Sequence, residues 1–328
     1  MTAATVAARR EKPRYLFAFS YWDAIPVLMG IGHLAFQIAF IFTFPYMSWP
    51  VAIACGLFYS YLIGWNIDSV SHNFTHNPYF KSWILNRAFS LIESLAIGFS
   101  QQMYKTVHWR HHLGNSDRPN EKGETYDWYS IYTHGKDGKP ENVWRYAFLG
   151  VFRGDDAKIF AEMGRNNRTN DVYWAKFESV AFVSWWVLGF IINWQFMLLF
   201  LPCWYLGLVI SNLVGYYEHL HANPDEPVAW GVSTYAKLYN LFWLNNGYHA
   251  EHHYRPRTHW RDMPALRERI LDKQKEKGTH VISMAHYLGF LQPDRDSYAL
   301  GGSPDPEHRE PDRHEVRGTG DRQSELRI

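Results

Sequence analysis

The chain has 328 residues and a net charge of +1, with 47% hydrophobic and 17% aromatic residues. Near-neutral charge without a basic block argues against a nucleic-acid partner. The two cysteines, Cys55 and Cys203, lie far apart in apolar runs, which argues against a disulfide framework, a cysteine zinc site and an iron–sulfur cluster.

Taken from the N-terminus, Arg9, Arg10, Lys12 and Arg14 precede a stretch, 24–66, that contains no Lys, Arg, Asp or Glu. A second such stretch covers 179–217. A spanning helix needs about 20 apolar residues, and each stretch is roughly twice that. Each is also broken in its middle, by PYMSWP at 45–50 and by INWQ at 192–195. The pattern predicts an all-α membrane protein with four transmembrane helices arranged as two hairpins, near 24–44, 50–67, 178–193 and 195–216. A cytoplasmic helical cap completes it. The first run is too long for a signal-peptide core and is read as a span.

Residues 101–176 carry twelve Lys and Arg, and the short hairpin turns carry none. The positive-inside rule then places both termini and the central loop in the cytoplasm of a multi-pass integral membrane protein. Residues 1–23 read as a cytoplasmic N-terminal segment, 24–291 as the membrane domain, and 292–328 as a disordered, polar tail. The short apolar run AFSLIESLAIGF at 88–99 contains Glu93 and suits an interfacial or re-entrant helix.

Histidine is the outlier, with 17 copies. Three clusters stand out: SHNFTH at 71–76, HWRHH at 108–112 and HAEHH at 249–253. Residues three and four apart share a helical face, so His72 and His76 point the same way and each HxxHH aims three imidazoles at one point. All three clusters follow an even number of spans and emerge on one side of the membrane. His219, in YYEHLH, lies just beyond the fourth span, with His221 competing for its role. A single HxxHH has a bland reading as a solvated face. Two of them plus HxxxH on one membrane side do not. His33 reads as a helix-packing residue, His134 as surface, and the histidines from His259 onward have no ligand spacing.

Zinc takes three or four protein ligands, whereas eight or nine imidazoles suit two metals. A redox-active pair with open positions binds and reduces O2, and iron is the natural choice because zinc cannot change oxidation state. With no on-board iron–sulfur centre and no CxxCH haem motif, electrons must come from a separate protein.

HxxxH, HxxHH and HxxHH in that order, between two membrane hairpins, resemble the membrane fatty acid desaturase superfamily. The most specific part is NNGYHAEHHYRPRTHWRDMP, which is similar to the family's YHxEHH followed by two prolines. The resemblance runs from about Ser60 to Pro264. It implies a non-haem centre of two Fe ions, O2 as co-substrate, a fatty acid or acyl-lipid substrate in the bilayer, and an external electron donor of ferredoxin, rubredoxin or cytochrome b5 type. Its ligands are His72, His76, His108, His111, His112, His249, His252 and His253. The YYEHLH segment resembles the Glu-His pair of related alkane hydroxylases and favours His219 as a ninth.

Departures from the family pattern are local. Many members carry Asp after the first histidine, where this chain has Asn73, and Asp68 is a replacement one helical turn earlier. A water-binding Asn four residues before a lone histidine is replaced by Gly215, and Asn245, four before His249, is the corresponding candidate. Asp68, Glu218, Asn245 and Glu251 are thus expected beside the ligands, with capping or solvated polar roles as the alternative.

Fatty acid desaturation is the expected reaction. Hydroxylation of an alkyl, acyl or carotenoid chain, and oxidative decarboxylation to a terminal alkene, are its alternatives, because the histidines build the oxidant and do not position the chain. Positioning is expected from an apolar tunnel near Trp185, Trp186 and Trp204. A metal transporter would place ligands inside the spans. Here the spans hold only His33.

Overall fold

The computed structural model describes residues 16–115, 117–166, 168–292 and 298–299. Most of the N-terminal segment and nearly all of the tail therefore lie outside the described residues. Three helices are long and apolar enough to cross a membrane: Tyr21–Tyr46, Trp49–His76 and Thr169–His219.

The first contains α1 (Ala24–Thr43). The second begins as α2 (Trp49–Trp65), passes through a π-helical turn at Asn66–Ser71 and continues as α3 (His72–His76). Its 28 residues span about 42 Å, against a hydrocarbon core of about 30 Å. The helix is thus longer than the apolar layer is thick, and both histidines lie in its last turns.

Next come α4 (Trp83–Ile97), over the short apolar run, and α5 (Gln101–Gly114), which carries HWRHH. Ser100 caps α5 by accepting from the Met103 N–H, and Asn115, with φ at 49°, ends it in the left-handed region. The central loop holds α6 (Val143–Leu149) and α7 (Asp156–Arg165).

Helix α8 (Thr169–His219) is helical throughout except at Asn193. There the chain doubles back. The rings of Trp186 and Trp204 lie 4.8 Å apart, whereas 18 residues of straight helix would separate them by about 27 Å. The Asn193 side chain accepts from the Phe196 N–H at 2.9 Å and caps the second half. The expected break at INWQ is thus a hairpin turn.

α2 packs on the second half of α8 at Gly207. A Cβ there would lie 2.4 Å from Ile63 Cβ and 2.7 Å from the Ser60 carbonyl, so only glycine permits the approach. Phe40, Tyr59, Phe196 and Phe200 fill the core between the hairpins. Outward positions such as Leu28, Leu57, Val180 and Ile191 are apolar and exposed.

Beyond α8 lie β1 (Ser233–Thr234), α9 (Lys237–Phe242), α10 (His249–Tyr254), α11 (Met263–Glu276), β2 (His280–Ile282) and β3 (Tyr298–Ala299). β2 pairs parallel with β1 and antiparallel with β3. This small sheet corrects the purely helical expectation, though the protein is mostly helical.

Beside Trp185 and Trp186 lies a hollow of only about 10 Å³, and the Trp204 indole N–H donates to the Ile97 carbonyl at 2.8 Å. The Trp186 and Trp204 rings pack edge to face.

Candidate metal centre

The nine histidines singled out in the sequence converge, but not as three separate boxes. His72, His76, His108, His112 and His252 form one group, and His111, His219, His249 and His253 form another. Within each, one ring nitrogen per residue lies within 4.8 Å of all the others. The expectation that each HxxHH aims at a single point is therefore corrected. On a helix, residues four apart lie about 40° from alignment, while residues three apart lie about 60° off on the other side. His108 and His112 accordingly face one group and His111 the other. On α10 the division runs the opposite way, with His249 and His253 in the second group and His252 in the first.

In the first group the Nε2 atoms meet one another. His72 and His252 are 2.8 Å apart, His76 and His108 2.7 Å, and His112 lies 3.1 Å from His76, 3.0 Å from His108 and 2.9 Å from His252. In the second, His249 and His219 Nε2 are 3.0 Å apart. The groups abut where the His112 and His253 rings come within 4.3 Å.

Partners on the opposite ring nitrogen determine what those Nε2 atoms offer. Nδ1 of His111 meets the Asp127 carboxylate at 2.8 Å, that of His72 meets Asn246 Oδ1 at 3.0 Å, and that of His253 meets Asn115 Oδ1 at 3.2 Å. His249 Nδ1 lies 3.3 Å from Glu218. The acceptors on His111, His72 and His253 hold a proton on Nδ1 and leave Nε2 as a bare lone pair, whereas His249 Nδ1 makes no hydrogen bond among the described residues. Where both Nε2 atoms of a contact are bare, they repel unless a cation lies between them. The Nε2 of His253 is buried with no hydrogen-bond partner among the described residues. The donor set thus fits metal ions held by neutral imidazoles.

Burial first, and neighbouring histidines second, hold His108, His112, His249, His252 and His253 well below the ordinary 6.5. They are neutral, as ligands must be. A histidine whose folded pKa is depressed stabilises the fold above its unfolded value and loses that contribution as pH falls below it. The thermal midpoint of metal-free protein should therefore fall as pH drops below about 6.5. A midpoint unchanged between about pH 8 and 5.5 would contradict this.

The residues expected beside the ligands fare differently. Glu218 does face the site, accepting from Asn246 Nδ2 at 2.7 Å and lying 3.6 Å from His286 Nδ1. Asp68 instead accepts from Ser211 at 2.8 Å, and it is its backbone carbonyl that lies 3.2 Å from His72 Nδ1. Asn245 donates to the Trp260 carbonyl, and its neighbour Asn246 holds His72. Glu251 faces away and binds Ser233, Tyr235 and Gln274, tying α10 to β1 and α11. His221 is exposed, with its ring 5.1 Å from His280, while His219 is buried in the second group. Asp127, Asn115, Asn246 and His286 carry no spacing signal in the sequence.

Gly231 permits the packing of the last box, since a Cβ there would come within 2.8 Å of the His249 ring. No curated protein matches the chain. The sequence profile named "Fatty acid desaturase" matches residues 47–285, which include every one of the nine histidines. With that match over most of its length and the membrane-length helices that carry His72, His76 and His219, the chain belongs to the fatty acid desaturase family.

Proposed function

We propose that the two histidine groups are the ligand sets of a non-haem di-iron centre, and that the protein uses O2 to desaturate a fatty acyl chain. His72, His76, His108, His112 and His252 would hold one iron, and His111, His219, His249 and His253 the other. The observation that carries this reading is the meeting of nine imidazoles, eight buried and His111 half-buried, in two abutting groups without thiolates or carboxylates in either group. Bound there, iron supplies the O2-derived oxidant that removes hydrogen from an unactivated C–H bond.

The chain's own residues do the rest. Asp127, Asn246 and Asn115 fix the rings of His111, His72 and His253 and keep their Nδ1 protons in place, and Glu218 in turn holds Asn246. Burial of the histidines keeps bulk water from them. Electrons come from a separate donor of ferredoxin, rubredoxin or cytochrome b5 type.

Residues 24–291 form one membrane unit with four spans, the two halves of α8 each crossing once. Both termini then lie in the cytoplasm with the histidine groups. The doubling back at Asn193 and the lysine- and arginine-rich central loop support this arrangement.

Wild-type protein and His111→Ala, expressed side by side, should be profiled by mass spectrometry of cell lipids and headspace. A new double bond absent from the variant is the expected result. Oxygen in the product would replace desaturation by hydroxylation, and a volatile alkene one carbon shorter would replace it by oxidative decarboxylation.

A further inference from the structure

A cavity of about 150 Å³ lies between α3, α4, α5 and the start of α8, outside the histidine groups. Arg87, Lys105, Gln101 and Asp171 supply its polar wall, and Phe74 and Trp83 its apolar one.

Its charges do not balance. Arg87 pairs with the Asp171 carboxylate, and Arg168 Nε reaches the same carboxylate at 2.9 Å. This leaves Arg87 Nη1 and Arg168 Nη2 buried and without hydrogen-bond partners among the described residues. Lys105, half-buried, makes no hydrogen bond or ion pair among the described residues. Two cations of the lining, Arg87 and Lys105, therefore face a single carboxylate that Arg168, outside the lining, also engages. Burial and the nearby Arg168 hold the Lys105 ammonium below its ordinary 10.5. Unpaired, partly desolvated cations are costly, and an anion in the cavity offsets that cost.

The position adds a second constraint. Lys105 precedes His108 by one turn of α5, and Thr75, which also lines the cavity, adjoins His76. Trp83, 73% exposed, opens α4 as an aromatic residue of the kind that marks a membrane–water boundary. The cavity thus adjoins, along α3 and α5, the turns that carry His76 and His108.

We propose that this cavity binds the oxyanion head group, carboxylate or phosphate, of the chain-like substrate, with Lys105 and Arg87 as its cationic contacts. That it is the substrate's head group rests on the function proposed above. Binding of the anion does not. A substrate so held carries a free acid or phosphate end, and a neutral ester or alkane lacks the group that the cavity recognises.

The test is calorimetric binding to zinc-loaded protein in neutral detergent, with dodecanoate, dodecyl phosphate, methyl dodecanoate and inorganic phosphate as probes. Lys105→Met should weaken dodecanoate or dodecyl phosphate by about tenfold or more and leave methyl dodecanoate unchanged. Lys105→Arg should restore the anionic probe. Lys105 gives up no partner in either variant, so both should melt no lower than wild type. Equal binding of dodecanoate and its methyl ester to wild type would overturn the assignment, as would Lys105→Met that binds both anionic chains like wild type. Lys105-dependent binding of inorganic phosphate alone would also overturn it, leaving a free-ion site. No turnover is read, so absence of an oxidised product would refute the desaturase reading without touching this result.

Discussion

Replacing His112 by alanine is expected to remove the metal of the five-histidine group and to lower turnover by at least about 1,000-fold, or about 4 kcal/mol. His112 is chosen because its Nε2 touches those of His76, His108 and His252, more of its own group than any other contact shown. Its ring also meets His253 of the second group at 4.3 Å. Its loss leaves four ligands on one side and opens a gap beside the other. His134→Ala, on an exposed loop residue, should retain wild-type metal and activity. Metal content and turnover of the purified pair measure this. Full metal occupancy in His112→Ala would sink the assignment of that group.

The second large effect is expected at Asp127. This carboxylate is 1% exposed, with one oxygen on His111 Nδ1 at 2.8 Å and the other accepting from the Tyr129 N–H at 2.9 Å. It fixes the tautomer and orientation of the one histidine that α5 sends to the second group. Asp127→Ala should therefore weaken metal binding at that group by about 10- to 100-fold, the usual consequence of losing such a partner. Asp127→Asn, whose Oδ1 still accepts from Nδ1–H, should recover part of the loss. Chelator titration of the purified variants reads the two metals separately. One ion should leave at lower chelator concentration and the other should not move. Equal loss of both, or no change, would contradict a role confined to His111.

The clustering of these histidines was legible because local helical geometry sets their spacing. HxxxH and HxxHH bring side chains to one side of a turn whatever the tertiary fold does, and the charge-free stretches reveal the hairpins that gather them. The division of each trio was not legible. It depends on where the partner helices stand, since the same turn sends the fourth and fifth residues of each HxxHH to different groups.

The supporting residues illustrate the limit more sharply. Asn245 was reached by counting back one helical turn from His249, but α10 begins at His249, and Leu244 and Asn245 both have positive φ, at 50° and 61°. Helical spacing has no meaning across that turn, and the adjacent Asn246 takes the position on His72. Asp68 fails for a related reason. The π-helical turn at Asn66–Ser71 alters the register between it and His72, so its side chain meets Ser211 and its carbonyl meets the histidine. Asp127 lies in a loop 16 residues after His111, where no periodicity links the two. Loop contacts of that kind are fixed by tertiary structure alone.

Iron content per chain tests the paired-metal centre most directly. Protein purified from iron-supplied cells should contain two irons per chain by elemental analysis, with a Mössbauer spectrum of iron in nitrogen-rich coordination. His112→Ala should retain no more than one. A wild-type value of one iron or fewer, or zinc filling both groups under those conditions, would contradict a di-iron centre.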